Sequence, residues 1–146
     1  MSEEFQNLLN TIDTLRNPGG CPWDRKQNLL NAARYLMDEA GELVESALEE
    51  DEAGCEEELA DLLFMTSFCT RILSETRKVD MHDIARIGNE KLIRRHPAVF
   101  GEEKAENSGE SQEQWNAIKA EEKRAKGIDP DQDSALKDMP ASTAPL

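Results

Sequence analysis

Two pairs of acidic residues in the first half of the chain have a spacing that suits a metal site. Glu39 and Glu42 lie three residues apart, and so do Glu58 and Asp61. On an α-helix this spacing places both members of a pair on one face. Ligand sets made only of carboxylate oxygens favour a hard divalent cation, with Mg²⁺ ahead of Ca²⁺ and Mn²⁺. The four side chains are therefore candidate ligands of such a cation.

A polar break at residues 50–54 separates the two helical stretches that carry these acids. If the stretches form an antiparallel hairpin about position 50, Glu42 and Glu58 each lie eight residues from the turn. Glu39 and Asp61 each lie eleven residues from it. With a rise of about 1.5 Å per residue, the inner pair lies roughly 12 Å from the turn on both helices. Such a hairpin would bring all four carboxylates to one height.

Two interpretations of these acids stay open at this point. Acidic residues three apart are common on solvated helix faces, which bind no ion. Converging carboxylates repel one another, however, and their desolvation costs several kcal/mol each unless a cation binds. Asp61 lies within the mostly apolar run of residues 59–65, which favours burial and therefore the metal site.

Length and charge restrict the domain organisation and the possible partners. The 146 residues suffice for one core, and we expect a domain over residues 1–126. Residues 127–146 are expected to be a disordered tail or an interdomain-linker-like segment. The net charge of −14 argues against general binding to nucleic acid or anionic membrane, because such binding depends on Lys and Arg. The sequence shows no secretory leader and no apolar run long enough for a membrane helix, so we expect a cytoplasmic protein.

Hydrophobic periodicity predicts an all-α protein without strands. Helices are predicted over residues 5–15, from residue 55 to about 77, from about residue 80 to 96 and, as a short helix, around Trp115. Another helix is predicted to begin at Arg25 with Asp24 as N-cap, and whether it runs unbroken into the helix that holds residues 36–48 or bends near Asn31 stays open. Residues 59–73 are apolar on most of the helix circumference, more than a two-helix hairpin can cover. We therefore predict that the antiparallel hairpin core is completed into a four-helix-bundle-like site through a homodimer or higher homo-oligomer.

A basic cluster stands out in this acidic chain, near the end of the helix that precedes Pro97. It consists of Lys91, Arg94, Arg95 and His96. Cations at a helix C-terminus can simply compensate the helix dipole, by about 0.3–1 kcal/mol each. Arg and Lys together are also the usual clamp for a polyphosphate. The second interpretation is therefore an anion-binding counterpart of the acidic site.

Four sequence blocks occur in the order L-R-N-P-G-G-C-P-W-D-R-K-Q, D-E-A-G-E, E-E-L-A-D-L-L-F and K-L-I-R-R-H-P-A-V-F-G, followed by a weaker W-N-A-I-K-A-E-E-K. Together they resemble the MazG family of all-α nucleoside triphosphate pyrophosphohydrolases. The resemblance extends roughly from Phe5 to Lys123. It maps the metal-binding E-x-x-E and E-x-x-D pattern of the family onto Glu39, Glu42, Glu58 and Asp61.

The resemblance implies hydrolysis of a nucleoside triphosphate to the monophosphate and pyrophosphate, with Mg²⁺ as cofactor and Mn²⁺ as a substitute. Housekeeping of the nucleotide pool is the role it suggests. It implies that Asp38 or Glu39 positions the attacking water as a base, and that the basic cluster binds phosphates. Trp115, by its position, and Trp23, by its exposure in a turn, are candidates to stack on the base. Hydrophobic packing is the alternative for both.

The chain departs from the family pattern outside the four acids. Asp38 replaces a glutamate, Ala98 replaces a histidine, and Asn28-Leu29 replaces a Thr-His pair.

Alternative functions are a dUTP or phosphoribosyl-ATP pyrophosphohydrolase and a non-catalytic helical module that binds a nucleotide or protein. A ferritin-like di-iron protein requires E-x-x-H motifs, which neither His82 nor His96 completes with Glu42 or Glu58.

Overall fold

In a computed structural model that describes residues 1–131, the chain is all-helical, and this part contains no strand. The helices are α1 (Glu3–Arg16), α2 (Pro22–Lys26), α3 (Leu29–Leu48), α4 (Glu52–Leu73), α5 (Met81–Arg94), α6 (Pro97–Phe100) and α7 (Ser108–Ala125). They confirm the all-α prediction. Among the described helices, none combines the length and hydrophobicity that a bilayer-spanning helix needs. The predicted disordered tail lies outside the described residues from position 132 onward.

The helices group into two compact units, Met1–Met81 and a second that begins at His82. In the first unit, α3 and α4 form the most extensive helix–helix contact, across a turn of only three residues. Asp51 caps α4 by accepting a hydrogen bond from the Gly54 N–H at 3.1 Å. Glu50 has a φ of 57°, a left-handed conformation that costs a non-glycine residue about 1 kcal/mol. The short turn therefore holds the hairpin at a local cost.

The core of the first unit lies where the C-terminal half of α4 meets α1 and α3. Its buried apolar residues are Ile12, Ala32, Met65, Phe68 and Ile72. Burial of these side chains removes apolar surface from water at about 25 cal/mol per Å². The N-terminal half of α4 is less covered, because Leu59 and Leu63 are 55% and 45% exposed. The residues of the first unit thus cover only part of the apolar surface that was predicted for α4.

Arg16 joins three segments of the first unit and is almost fully buried, with 7% of its side chain exposed. Its Nε and Nη2 atoms donate to the Glu75 carboxylate at 2.8 and 3.0 Å. Its Nη1 donates to the backbone carbonyls of Asp24 and Gln27. The guanidinium also lies 5.9 Å from the centroid of the Phe68 ring. One side chain therefore ties the end of α1 to the α2 segment and to the residues after α4.

The predicted helix start at Arg25, with Asp24 as N-cap, is wrong. Asp24 lies inside the five-residue helix α2 and does not cap a helix that begins at Arg25. Pro22 starts α2 earlier, because its fixed φ suits the first helical turn. A second helix then begins at Leu29, after the Asn28 side chain accepts a hydrogen bond from the Asn31 N–H. Helix α7 is also longer than predicted, with 18 residues.

We predict that Glu75→Gln lowers the free energy of unfolding at about pH 7 by about 1 kcal/mol, because the charged partner of Arg16 and Arg71 is lost. The figure is small since part of the carboxylate faces water. The hydrogen bond from Arg16 lowers the pKa of Glu75, although burial opposes this shift. The lowered pKa stabilises the native state above the ordinary value of 4.5, and this contribution disappears as the pH falls below it.

Urea unfolding across the acidic range measures the effect, and the difference between wild type and variant should shrink below about pH 4.5. Glu90→Gln is the matched control because Glu90 pairs with the exposed Arg86, and its effect should stay below about 0.5 kcal/mol. A Glu75→Gln effect that is independent of pH would contradict this role of the carboxylate charge.

Candidate functional site

Three of the four predicted acidic ligands come together in the first unit. Glu39 on α3 and Glu58 and Asp61 on α4 each place one carboxylate oxygen within 4.8 Å of the others. The i, i+3 spacing on α4 puts its two acids on one face, and the hairpin brings Glu39 opposite them. Such a group could hold a metal ion. Glu42 is exposed and does not belong to this group of three.

The surroundings of Glu39 disfavour the charged form of its carboxyl group. Burial raises the pKa of Glu39, and the charges of Asp61, Glu42, Glu58 and Asp38 raise it further, in decreasing order. Each neighbour that raises the pKa disfavours the charged form of the carboxyl group. Asp38 itself is exposed on α3 and lies outside the group of three.

Glu58 has a buried carboxylate oxygen whose surroundings favour coordination of a cation. Burial raises the pKa of its side chain, the charges of Glu42 and Asp61 add to the shift, and a hydrogen bond with Glu39 opposes it. Its Oε2 atom is shielded from solvent and has no hydrogen-bond partner among the described residues. Buried polar atoms normally have a partner. A cation coordinated by this oxygen would supply one, so the residues present fit a divalent metal.

The basic cluster lies in the second unit, where two of its residues contact Trp115 and a third is linked to them through a carboxylate. The Arg95 guanidinium carbon lies 5.1 Å from the centroid of the Trp115 ring, and the His96 ring meets Trp115 edge-on at 5.1 Å. Arg94 joins the group through a shared carboxylate, that of Glu122. Lys91 is exposed and lies one helical turn before Arg95 on α5.

Glu122 is a residue that the sequence analysis did not identify. It pairs with both Arg94 and Arg95, each at 2.6 Å. The sequence did contain a signal that could have identified Glu122. It follows Trp115 by seven residues, which is two helical turns, so both residues lie on the same face of α7. Trp23, the other aromatic candidate, is 63% exposed on α2 in the first unit. The structure does not bring Trp23 into the group of three acids.

Comparison with known sequences identifies the family of the chain. Residues 27–100 match the MazG nucleotide pyrophosphohydrolase domain. The chain belongs to the MazG family. This confirms the family that the ordered sequence blocks indicated. The matched region contains all three converging acids as well as Lys91, Arg94, Arg95 and His96, whereas α7 lies beyond it.

Relatives of this MazG-family chain bear names that describe an activity. A nucleoside triphosphate pyrophosphohydrolase of Escherichia coli is 38% identical over 144 residues, covering 98% of this chain and 53% of the relative. The Thermotoga maritima nucleoside triphosphate pyrophosphohydrolase/pyrophosphatase MazG is 42% identical over 122 residues, covering 84% and 46%. The chain therefore spans about half the length of these curated relatives.

A solved structure resembles the fold of the MazG-family chain. The crystal structure of a MazG-related protein from Thermotoga maritima superposes with a TM-score of 0.62 and 27% sequence identity. The match covers 77% of this chain and 96% of that protein. The similarity supports the helical architecture that positions the acids.

We predict that Glu58→Gln raises the melting temperature of the cation-free protein and removes its response to divalent cations. The substitution deletes one of the repelling charges, so the native state without cation becomes more stable, while a cation loses a ligand. Thermal melting in EDTA and in excess Mg²⁺ or Mn²⁺ measures both effects. Glu56→Gln, on the exposed side of the same helix, is the control and should keep the wild-type response. An equal cation response in Glu58→Gln would refute the assignment.

Proposed function

We propose that this chain hydrolyses nucleoside triphosphates to nucleoside monophosphates and pyrophosphate, with Mg²⁺ as the cofactor. The observation that carries the proposal is the uncompensated group of Glu39, Glu58 and Asp61, in which one buried oxygen has no partner among the described residues. Membership of the MazG family and the names of its relatives support the same activity. Housekeeping of the nucleotide pool and a cytoplasmic location remain part of the proposal.

The acidic residues have two roles in the proposed reaction. Glu39, Glu58 and Asp61 would hold the metal, with Glu42 as the fourth proposed ligand, because its charge acts on both Glu39 and Glu58. A divalent ion held there would supply Lewis-acid stabilisation of the phosphate oxygens and would lower the pKa of a water molecule. Asp38 or Glu39 orients that water and accepts its proton. The water oxygen attacks phosphorus. The bond from this phosphorus to its bridging oxygen then breaks, and the electron pair of that bond leaves with pyrophosphate.

The basic residues bind the substrate in this proposal. Lys91, Arg94, Arg95 and His96 offer N–H donors and positive charge to the phosphate oxygens, which compensates the negative charge of the leaving group. Trp115 offers to the nucleobase the aromatic face that Arg95 does not cover. Trp23 is the second candidate for base stacking because it is exposed.

A panel of nucleoside triphosphates, each assayed with Mg²⁺ for monophosphate and pyrophosphate, tests the activity. We expect pyrophosphate release by the wild type and a loss of about 100-fold or more in Asp61→Asn, because the variant lacks one charged ligand. The helical circular dichroism signal should be unchanged. Glu56→Gln is the matched control and should retain activity. Diphosphate products, or wild-type rates in Asp61→Asn, would contradict the proposal. Nucleotide binding without turnover would favour the non-catalytic module.

We further propose that the chain functions as a homodimer or higher homo-oligomer. Leu59 and Leu63 lie one turn apart on α4 and remain exposed, which supports a second copy as the cover of this face. Light scattering at micromolar concentration should give at least twice the monomer mass, and Leu63→Lys should reduce it. A monomer at this concentration would overturn the oligomer.

A further inference from the structure

The carboxylate of Glu122 binds two arginines at once in the second unit. Its Oε1 atom accepts a hydrogen bond from Nε of Arg94 at 2.6 Å. Its Oε2 atom accepts from Nε and Nη2 of Arg95 at 3.2 and 2.6 Å. Arg95 and Glu122 are both largely shielded from solvent, whereas Arg94 is half exposed. The residue therefore fixes the end of α5 against α7, and Arg95 is the more tightly held partner.

Arg95 is confined on a second side by an aromatic ring. Its guanidinium carbon lies 5.1 Å from the centroid of Trp115, a distance typical of a cation–π contact. His96 packs its ring edge-on against the same indole, and its Nδ1 lies 2.6 Å from the Leu92 carbonyl oxygen. The carboxylate, the guanidinium and the two rings thus form one preorganised group within the second unit.

The charges of this group leave a net positive site. Hydrogen bonds from Arg95 and Arg94 lower the pKa of Glu122 to about 2, although burial opposes them, so the carboxylate is ionised at neutral pH. Glu122 cancels one of the two guanidinium charges. A guanidinium has five N–H donors, and Glu122 receives two from Arg95. Three donors of Arg95 are therefore not directed at the carboxylate.

We propose that Glu122 is a positioning residue for nucleotide binding, which holds Arg95 against Trp115 so that one rigid group contacts both phosphate and base. The remaining donors of Arg95 bind phosphate oxygens, and the base stacks on the face of the Trp115 indole that Arg95 does not cover. Fixing the guanidinium beforehand reduces the side-chain entropy that binding costs. The inference rests on the proposed function for the identity of the ligand, a nucleoside triphosphate.

Glu122 could instead compete with the phosphates of the nucleotide, and its substitution would then change the affinity in the opposite direction. If Glu122 occupied the phosphate position and competed with substrate, neutralising it would strengthen nucleotide binding. If it positions Arg95, neutralising it weakens binding. The direction of the change in affinity therefore separates the two.

Calorimetric titration of the full chain in EDTA measures affinity without turnover. The probes are the four common ribonucleoside triphosphates, each titrated separately. For the nucleotide that binds best, Glu122→Gln should raise the Kd by about tenfold or more, the range that loss of a charge-assisted contact produces. Glu121→Gln is the matched control, because Glu121 is an exposed neighbour on the same helix, and its Kd should change by less than about twofold. Unchanged or tighter binding in Glu122→Gln would overturn the inference.

A double-mutant cycle separates positioning from general support of the fold. In an Arg95→Ala background, Glu122→Gln should change the Kd by less than about twofold, because the group that it positions is already gone. A purely structural role would weaken binding by the same factor in both backgrounds, which would contradict the inference. Circular dichroism and melting curves verify that each variant is folded at the titration temperature.

Pyrophosphate release with Mg²⁺, measured on the same variants, distinguishes failure of this inference from failure of the proposed function. If wild-type protein releases pyrophosphate and Glu122→Gln matches it in KM and kcat, the inference fails and the function stands. If nucleotides bind with the expected Glu122 dependence but no pyrophosphate appears, the function fails and the inference stands. Wild-type protein that neither binds nor hydrolyses any of the four nucleotides overturns both.

Discussion

The repulsion between carboxylates on the α3–α4 hairpin is the constraint around which the first unit is built. Glu39, Glu58 and Asp61 approach one another closely although no positive charge compensates them among the described residues. Like charges in a partly desolvated site oppose folding. The surrounding structure must therefore supply the free energy that holds the hairpin closed. The Asp51 cap of α4 and the buried half of α4 contribute to it.

The two units differ in whether the charges of their acidic side chains are compensated. In the second unit, Glu122 lies between Arg94 and Arg95, so opposite charges neutralise one another locally and the pKa of the carboxyl group falls. In the first unit the charges of neighbouring acids raise the pKa of Glu39 instead. A compensated cluster is stable as it stands, whereas an uncompensated one gains most from a bound cation. This contrast distinguishes a positioning ion pair from a candidate metal centre.

Local periodicity was sufficient to predict the helices and the meeting of three acids. Helical spacing and the count of residues from the turn determine which side chains of a hairpin share a height, so Glu39, Glu58 and Asp61 could be predicted. Glu42 is exposed and outside the group of three, but its charge still raises the pKa of Glu39 and Glu58, so its predicted role as a ligand stays a prediction. The sequence left open whether the helix from Arg25 breaks before residue 36, because two start signals, Pro22 and Asn28, compete within a few residues.

Contacts between distant segments could not be predicted in the same way. Glu122 meets Arg95 across 27 residues of sequence, and Arg16 meets Glu75 across 59. Such pairs depend on how whole helices are arranged, which local patterns do not encode. Anomalous diffraction from crystals soaked in Mn²⁺ tests most directly whether the acids of the hairpin bind a cation. We predict a peak at roughly 2.0–2.6 Å from oxygens of Glu39, Glu58 and Asp61. A fully occupied Mn²⁺ peak elsewhere, with none between α3 and α4, would contradict it.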